Sequence, residues 1–160
     1  MLLPETKVLL DRRAVRDLIG RYFYGIDRKN RDLILSCFSE DAVYEFVLEE
    51  RVLRGIGELS KVFGGSASSG LAQSSHGINS QSLLLDGDRG EADTFAVAHL
   101  VEGLAGPGRI LVRGLRYRDD LARGPQGWRI VHRRHHSLWQ YEAASMSPDL
   151  RDRAPGFSGA

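Results

Sequence analysis

Apolar side chains in the first part of the chain recur at helical spacing. Val8, Leu9, Val15, Leu18, Ile19, Tyr22, Phe23 and Ile26 predict one amphipathic helix, or two short ones, over residues 4 to about 26. "RDLILSCF", 31 to 38, predicts a second, shorter helix. "SEDAVYEFVL" predicts a turn at Ser39–Asp41 and then a strand, because Val43, Tyr44, Phe46 and Val47 are β-prone. "RGIGELSKVFGG" reads as a short helix after a glycine-bounded turn, and "SASSG", 66 to 70, as a small-residue loop. From residue 76 onward the pattern becomes strand-like. Two runs flank "DGDRGE" and two more flank "RGPQGW", each the signature of a hairpin.

Helices first and antiparallel strands after predict an α+β fold, with a curved antiparallel sheet wrapped around the N-terminal helices. A strongly bent sheet cannot fill its own concave side, so an internal pocket is expected between sheet and helices. The expected organisation is one domain over 1–145 and a polar tail, 146–160, rich in Pro, Gly and charge.

Composition narrows the function classes. The chain has 160 residues and a formal charge of +1, which gives no electrostatic footprint for nucleic acid. A single cysteine, Cys37, excludes a disulfide framework and a thiolate zinc site within the chain. No apolar run approaches the ~20 residues that span a bilayer, and "MLLPETKVLLDRR" does not read as a signal peptide. A cytoplasmic protein with no membrane partner is expected.

The candidate chemistry starts at Asp27, which sits beside the end of the apolar stripe of the first helix. As a surface acid there it would be mildly unfavourable against the helix dipole. As a partner for a histidine in a pocket it would fix the tautomer of the ring and raise the basicity of its far nitrogen. His76, in "QSSHGIN" between the Ser-rich loop and the start of the sheet, is the candidate. Tyr22, little more than one helical turn before Asp27, could reach the same pocket or be a core tyrosine. Strand alternation puts Phe95, Val97 and His99 on one face and Thr94, Ala96, Ala98 and Leu100 on the other. The small residues of the second face would suit close packing against something flat.

"WRIVHRRHHSLWQY" is unusually basic. Alternation places Trp128, Ile130, His132 and Arg134 on one side and Arg129, Val131, Arg133 and His135 on the other, unless a bulge intervenes. It reads either as a cationic wall over a pocket or as a solvated face. His132, His135 and His136 crowd together, but they do not share a strand face and no acid is adjacent in sequence, so no metal site is expected. Asp119 is a possible partner for one of the arginines, with Tyr117 as packing. Cys37, in an apolar segment, reads as a small buried hydrophobe. "GGSASSG" has neither a nucleophile elbow nor the lysine of a phosphate loop.

"AVRDLIGRYFYGIDRKNRDLILSCFSEDAVYEF", "SSHGINSQSLLLDGDRGEADTFAVAHL" and "RGLRYRDDLARGPQGWRIVHRRH", in that order, resemble the SnoaL-like branch of the nuclear transport factor 2-like superfamily. The resemblance covers roughly residues 11 to 141. It implies a cone-shaped α+β barrel and, in the branch nearest in pattern (scytalone dehydratase, bile-acid 7α-dehydratase, lindane dehydrochlorinase), a cofactor-free lyase using an Asp–His pair at Asp27 and His76. It also implies Tyr22 as a catalytic tyrosine, His99 near a second histidine, and Arg133 as an arginine of the last strand. Ile26 stands where the scytalone enzyme has a tyrosine. The resemblance further implies a homo-oligomer, a trimer or dimer. With Phe23, Tyr44, Phe46, Phe95 and Val97 lining the pocket, the expected partner is a small hydrophobic cyclic molecule such as a polyketide, steroid or terpenoid. An isomerase, an aldol-type cyclase and a non-catalytic binding protein are the alternatives.

Overall fold

The structure, a computed structural model, describes residues 4–63, 73–102 and 108–145. The "SASSG" loop and the tail from 146 lie outside the described residues. The order is α1 (Pro4–Asp27), α2 (Arg31–Leu35), β1 (Phe38–Phe46), β2 (Arg51–Arg54), α3 (Gly55–Phe63), β3 (Gln73–Asp86), β4 (Arg89–Glu102), β5 (Gly108–Gly124) and β6 (Gly127–Ser145). Six strands form one sheet in the order β2-β1-β6-β5-β4-β3. All pairings are antiparallel except β1 with β6, which run parallel. No helix among the described residues is long and apolar enough to cross a membrane.

Helix α1 lies on the inner face of the sheet. Val15, Leu18, Ile19, Tyr22 and Phe23 are buried and join one core with Ala92, Ala96, Ala98, Leu115, Tyr117, Leu121 and Ile130. Full burial of a large apolar side chain contributes about 1.5–3 kcal/mol, so this stripe is what docks the helix. Val8 and Leu9, expected on the same stripe, are exposed, because the first turns of α1 extend past the sheet's cover.

The end of α1 is sharply defined. Lys29 takes a left-handed φ of 53°, the amide of Asn30 reaches back to the carbonyl of Gly25, and the side chain of Asn30 caps α2 by accepting from the amide of Leu33. Ile34 packs so closely on Gly25 that a Cβ there would lie 2.9 Å from its Cγ1. The two helices therefore cross at a glycine, and Asp27 is held at a set place beyond the crossing.

Two sequence expectations change. Ser39–Asp41 is not a turn before the strand, for β1 already begins at Phe38 and its register with β6 shifts between Phe38 and Val43. The turn-forming residues sit in a strand irregularity, where an unpaired, outward-facing backbone suits them. His76 is not in a loop: β3 starts at Gln73 and His76 pairs with Ala98. β2, a short edge strand paired with β1, has no counterpart in the sequence reading.

Candidate active site

Pairing β3 alongside β4 brings His76 to the end of α1. The imidazole Nδ1 of His76 lies 2.6 Å from Asp27 Oδ1, and its backbone amide donates to Asp27 Oδ2 at 2.9 Å. Ser74 Oγ donates to Asp27 Oδ1 at 3.0 Å. A carboxylate only accepts, so Nδ1 carries the proton and Nε2 is left as the basic nitrogen. Three donors on one carboxylate, with hydrogen bonds to charged groups contributing about 1.5–3 kcal/mol each, hold the acid and ring as a unit. The side chain of His76 is 7 % exposed and that of Asp27 21 %. The ring of His76 stacks on Phe23, with centroids 5.4 Å apart and planes at 11°.

Deeper in the cone, aromatic rings continue from Phe23 to Tyr117 (5.2 Å, edge-on) and from Tyr117 to His135 (4.9 Å, stacked). The hydroxyls of Tyr22 and Tyr44 are 3.1 Å apart. Burial raises the pKa of Tyr22, and those of Tyr44 and Tyr117 well above the ordinary phenol value, so all three stay neutral hydrogen-bonding groups. Tyr44 packs on Phe46, and Phe46 meets His135 edge-on.

Arg133 is fully buried and forks onto Asp119 with two bonds of 2.6 Å. Its guanidinium carbon sits 4.0 Å from the centre of the Tyr22 ring and 4.7 Å from that of Tyr117. Burial alone would weaken its hold on its proton, but the facing Asp119 carboxylate more than offsets this and pushes the pKa up. The expected pairing of Asp119 with a strand arginine is thus present. Arg133, however, is an interior strut with its charge already matched, not a wall of free positive potential.

Three expected residues are not at this site. His99 is exposed, and Phe95 and Val97 are only half-buried beside it on the outer face of β4, while Thr94, Ala96 and Ala98 point inward. The alternation was read correctly and its direction was reversed. The small residues face the core that the helix shares with the sheet, and the larger apolar side chains lie outside. His132 and His136 also lie off the inner face. His132 is bonded to Glu45 at 2.7 Å, and His136 pairs across the sheet with Arg116.

The sequence reading missed His135 as a site residue. The register of β6 against β5 shifts between Asp120 and Leu121, so Trp128 and Ile130 point inward and then, past a bulge at Val131, so do Arg133 and His135. Arg113 is likewise directed inward, and its Nη2 donates to Ser137 Oγ at 2.8 Å. The signal was the run "HRRHH" itself, but which histidine faces inward depends on the bulge.

The recesses on the outer face, such as that between Ser82, Asp93, Arg118, Asp120 and Arg134, are open grooves lined by ion-paired side chains. The site is placed instead by the inner face. There cover thins from buried Ala98 to half-buried Leu100 along β4, and Ile26, Phe46 and Phe63 are only partly buried at the same end.

A mostly antiparallel sheet packed on a long helix, with Asp27 at the helix end bonded to His76 on β3, makes an α+β fold with an Asp–His pair beside its core. The profile of the SnoaL-like domain matches residues 7–134, and the chain belongs to that family. It is similar to an uncharacterised protein of Mycobacterium tuberculosis, with 30 % identity over 132 residues that cover 77 % of this chain and 82 % of the relative. Its fold is similar to that of a scytalone-dehydratase-like protein of Novosphingobium aromaticivorans (TM-score 0.75, 14 % identity, 89 % of this chain and 94 % of the other). It is also similar to that of the hexachlorocyclohexane dehydrochlorinase LinA-type3 of Novosphingobium barchaimii (TM-score 0.74, 15 % identity, 89 % and 96 %).

Proposed function

We propose that the protein is a cofactor-independent lyase of the dehydratase type, acting on a hydrophobic cyclic small molecule. The observation that supports this most directly is the 2.6 Å contact between His76 Nδ1 and Asp27, which leaves Nε2 of a largely buried imidazole as a base beside aromatic rings. In this reading Nε2 removes a proton next to a carbonyl. Asp27 stabilises the imidazolium that forms, and the low-polarity surroundings strengthen that attraction. The neutral phenols of Tyr22 and Tyr44 add dipoles to the pocket without adding charge. Phe23 and Phe46 supply apolar surface for the substrate's rings. Arg133 acts as a positioning residue through Tyr22 and Tyr117. An isomerase or aldol-type cyclase would use the same base without expelling a hydroxyl. Two solved proteins of similar fold carry the names of eliminating enzymes, which favours elimination.

The test is turnover of a panel of cyclic β-hydroxy ketones by wild type, His76→Ala and Asp27→Asn, followed by loss of water and by exchange of the α-hydrogen in deuterium oxide. Losses of about 10²–10⁴-fold in kcat are expected for both variants. Equal turnover and equal exchange by all three proteins would refute the assignment. Exchange without loss of water would point to the isomerase.

A further inference from the structure

Buried polar atoms in folded proteins nearly always have partners, and an exception calls for a reason. Among the described residues His135 has none for either ring nitrogen, although both are buried and the residue is only 8 % exposed. Its ring is held in place on three sides, stacked flat on Tyr117 and edge-on to Phe46 and Tyr44. Packing this tight fixes the direction in which the nitrogens point. The ring belongs to the inner face of β6, and a continuous path of ring contacts through Tyr117 and Phe23 leads from it to His76. Arg113, inward-facing on β5, has a buried Nε without a partner among the described residues, and its Nη2 is anchored on Ser137, two residues beyond His135. On this side of the cone, then, are one imidazole with both nitrogens free and one guanidinium with a donor to spare.

Tyr22 is a poorer candidate for touching a substrate oxygen. Its hydroxyl is engaged with Tyr44, and its ring is enclosed by Phe23, Phe38, Phe63, Tyr117 and the Arg133 guanidinium.

We propose that His135, backed by Arg113, is the group that binds the substrate's carbonyl oxygen while His76 works on the adjacent carbon. This rests on the lyase reading of the Asp27–His76 pair and names the missing half of that site. It also restricts the substrate to one whose acidic C–H is alpha to a carbonyl carried on an apolar ring system. Burial and the neighbouring positive charges of Arg133 and Arg113, with smaller contributions from His136 and His76, push the imidazole down to about 3. Its N–H is therefore a fixed hydrogen-bond donor and not a proton source at neutral pH.

The step balances without any further reagent. His76 Nε2 takes the α-proton, the C–H pair moves to form the enolate C=C, and the carbonyl π pair moves to the oxygen held by the His135 N–H. The enolate then re-forms the carbonyl as its C=C pair moves to the α,β position and the C–O bond to the β-hydroxyl breaks. His76 returns its proton to that oxygen, which leaves as water.

The experiment uses the full chain and 4-nitrophenol, whose phenolate absorbs in the visible and mimics an enolate oxygen on an aromatic ring. Wild type, His135→Phe, His135→Gln and His76→Ala are titrated with it, and the same proteins are assayed on the β-hydroxy ketone panel. His135→Phe keeps the ring packing and removes both nitrogens, and far-UV circular dichroism verifies the fold of each variant. The expected result is a loss of about tenfold or more in nitrophenolate affinity for His135→Phe. Its kcat should fall by about 10²–10³-fold, the size seen when an oxyanion donor is removed, with KM changed less. His135→Gln should recover part of both. If His135→Phe matches wild type in nitrophenolate affinity and kcat while His76→Ala is inactive, the lyase reading stands and the role of His135 is overturned. If nothing is turned over or exchanged by wild type, yet nitrophenolate affinity depends on His135, the oxygen site is supported and the lyase reading falls.

Discussion

Removing the carboxylate of Asp119 tests the interior most directly. Both members of the Asp119–Arg133 pair are fully buried and joined by two bonds of 2.6 Å. Arg133 already has one guanidinium nitrogen, Nη1, without a partner among the described residues. In Asp119→Ala the other two ends, Nε and Nη2, would lose their acceptors as well, while the positive charge stays wrapped in the rings of Tyr22, Phe38 and Tyr117. Breaking one side of a buried pair costs about 3–5 kcal/mol. At ~2–4 °C per kcal/mol for a domain of this size, Tm should fall by about 6–20 °C. Thermal and urea unfolding followed by circular dichroism reads it. The double variant Asp119→Leu with Arg133→Met removes both charges and fills the space, so it should regain most of the loss. A loss below about 1 kcal/mol for Asp119→Ala, or a double variant no better than the single, would show that the pair is not the desolvated strut described above.

Two further predictions follow from the packing around the site. Because burial and adjacent cations hold His135 down near 3 against an ordinary 6.5, the unfolded chain binds a proton there that the folded chain does not. Its contribution to stability is intact above about pH 6.5 and is lost progressively as pH falls towards 3, with a slope of up to about 1.4 kcal/mol per unit. Urea midpoints of wild type minus His135→Phe across that range should show this slope, and parallel curves would refute it. Gly25→Val places a branched side chain against Ile34 where even a Cβ would be 2.9 Å from Cγ1. Overpacking of about 1–3 kcal/mol is expected, and, because the crossing sets the end of α1, turnover should drop more than the same destabilisation causes elsewhere.

The long elements were legible because periodicity extends over many residues. The stripe from Val15 to Phe23 marks α1, and the "DGDRGE" and "RGPQGW" turns mark the β3–β4 and β5–β6 hairpins. The contact between Asp27 and His76 was legible because acid and imidazole stand out from their apolar surroundings. The direction in which β4 faces was not. Alternation gives two faces and cannot say which is inside when both are apolar, and it is Ala96 and Ala98 that are buried while Phe95 and Val97 are only half-buried. His135 was hidden for a related reason. One extra residue in β6 reverses which of "HRRHH" turns inward, and a bulge is set by the pairing with β5, not by the local sequence.

The parallel pairing of β1 with β6 has a consequence for how the chain assembles. As the polypeptide leaves the ribosome, α1, β1, β2 and α3 emerge with no strand to join them to the rest of the sheet, because β1's inner neighbour is the strand made last of the six. The early part must wait, with one edge of β1 unpaired, until β6 arrives and closes the sheet between two previously separate edges. Such long-range closure is slow, and an interrupted or truncated translation product lacking β6 would present a bare, sticky strand edge to chaperones.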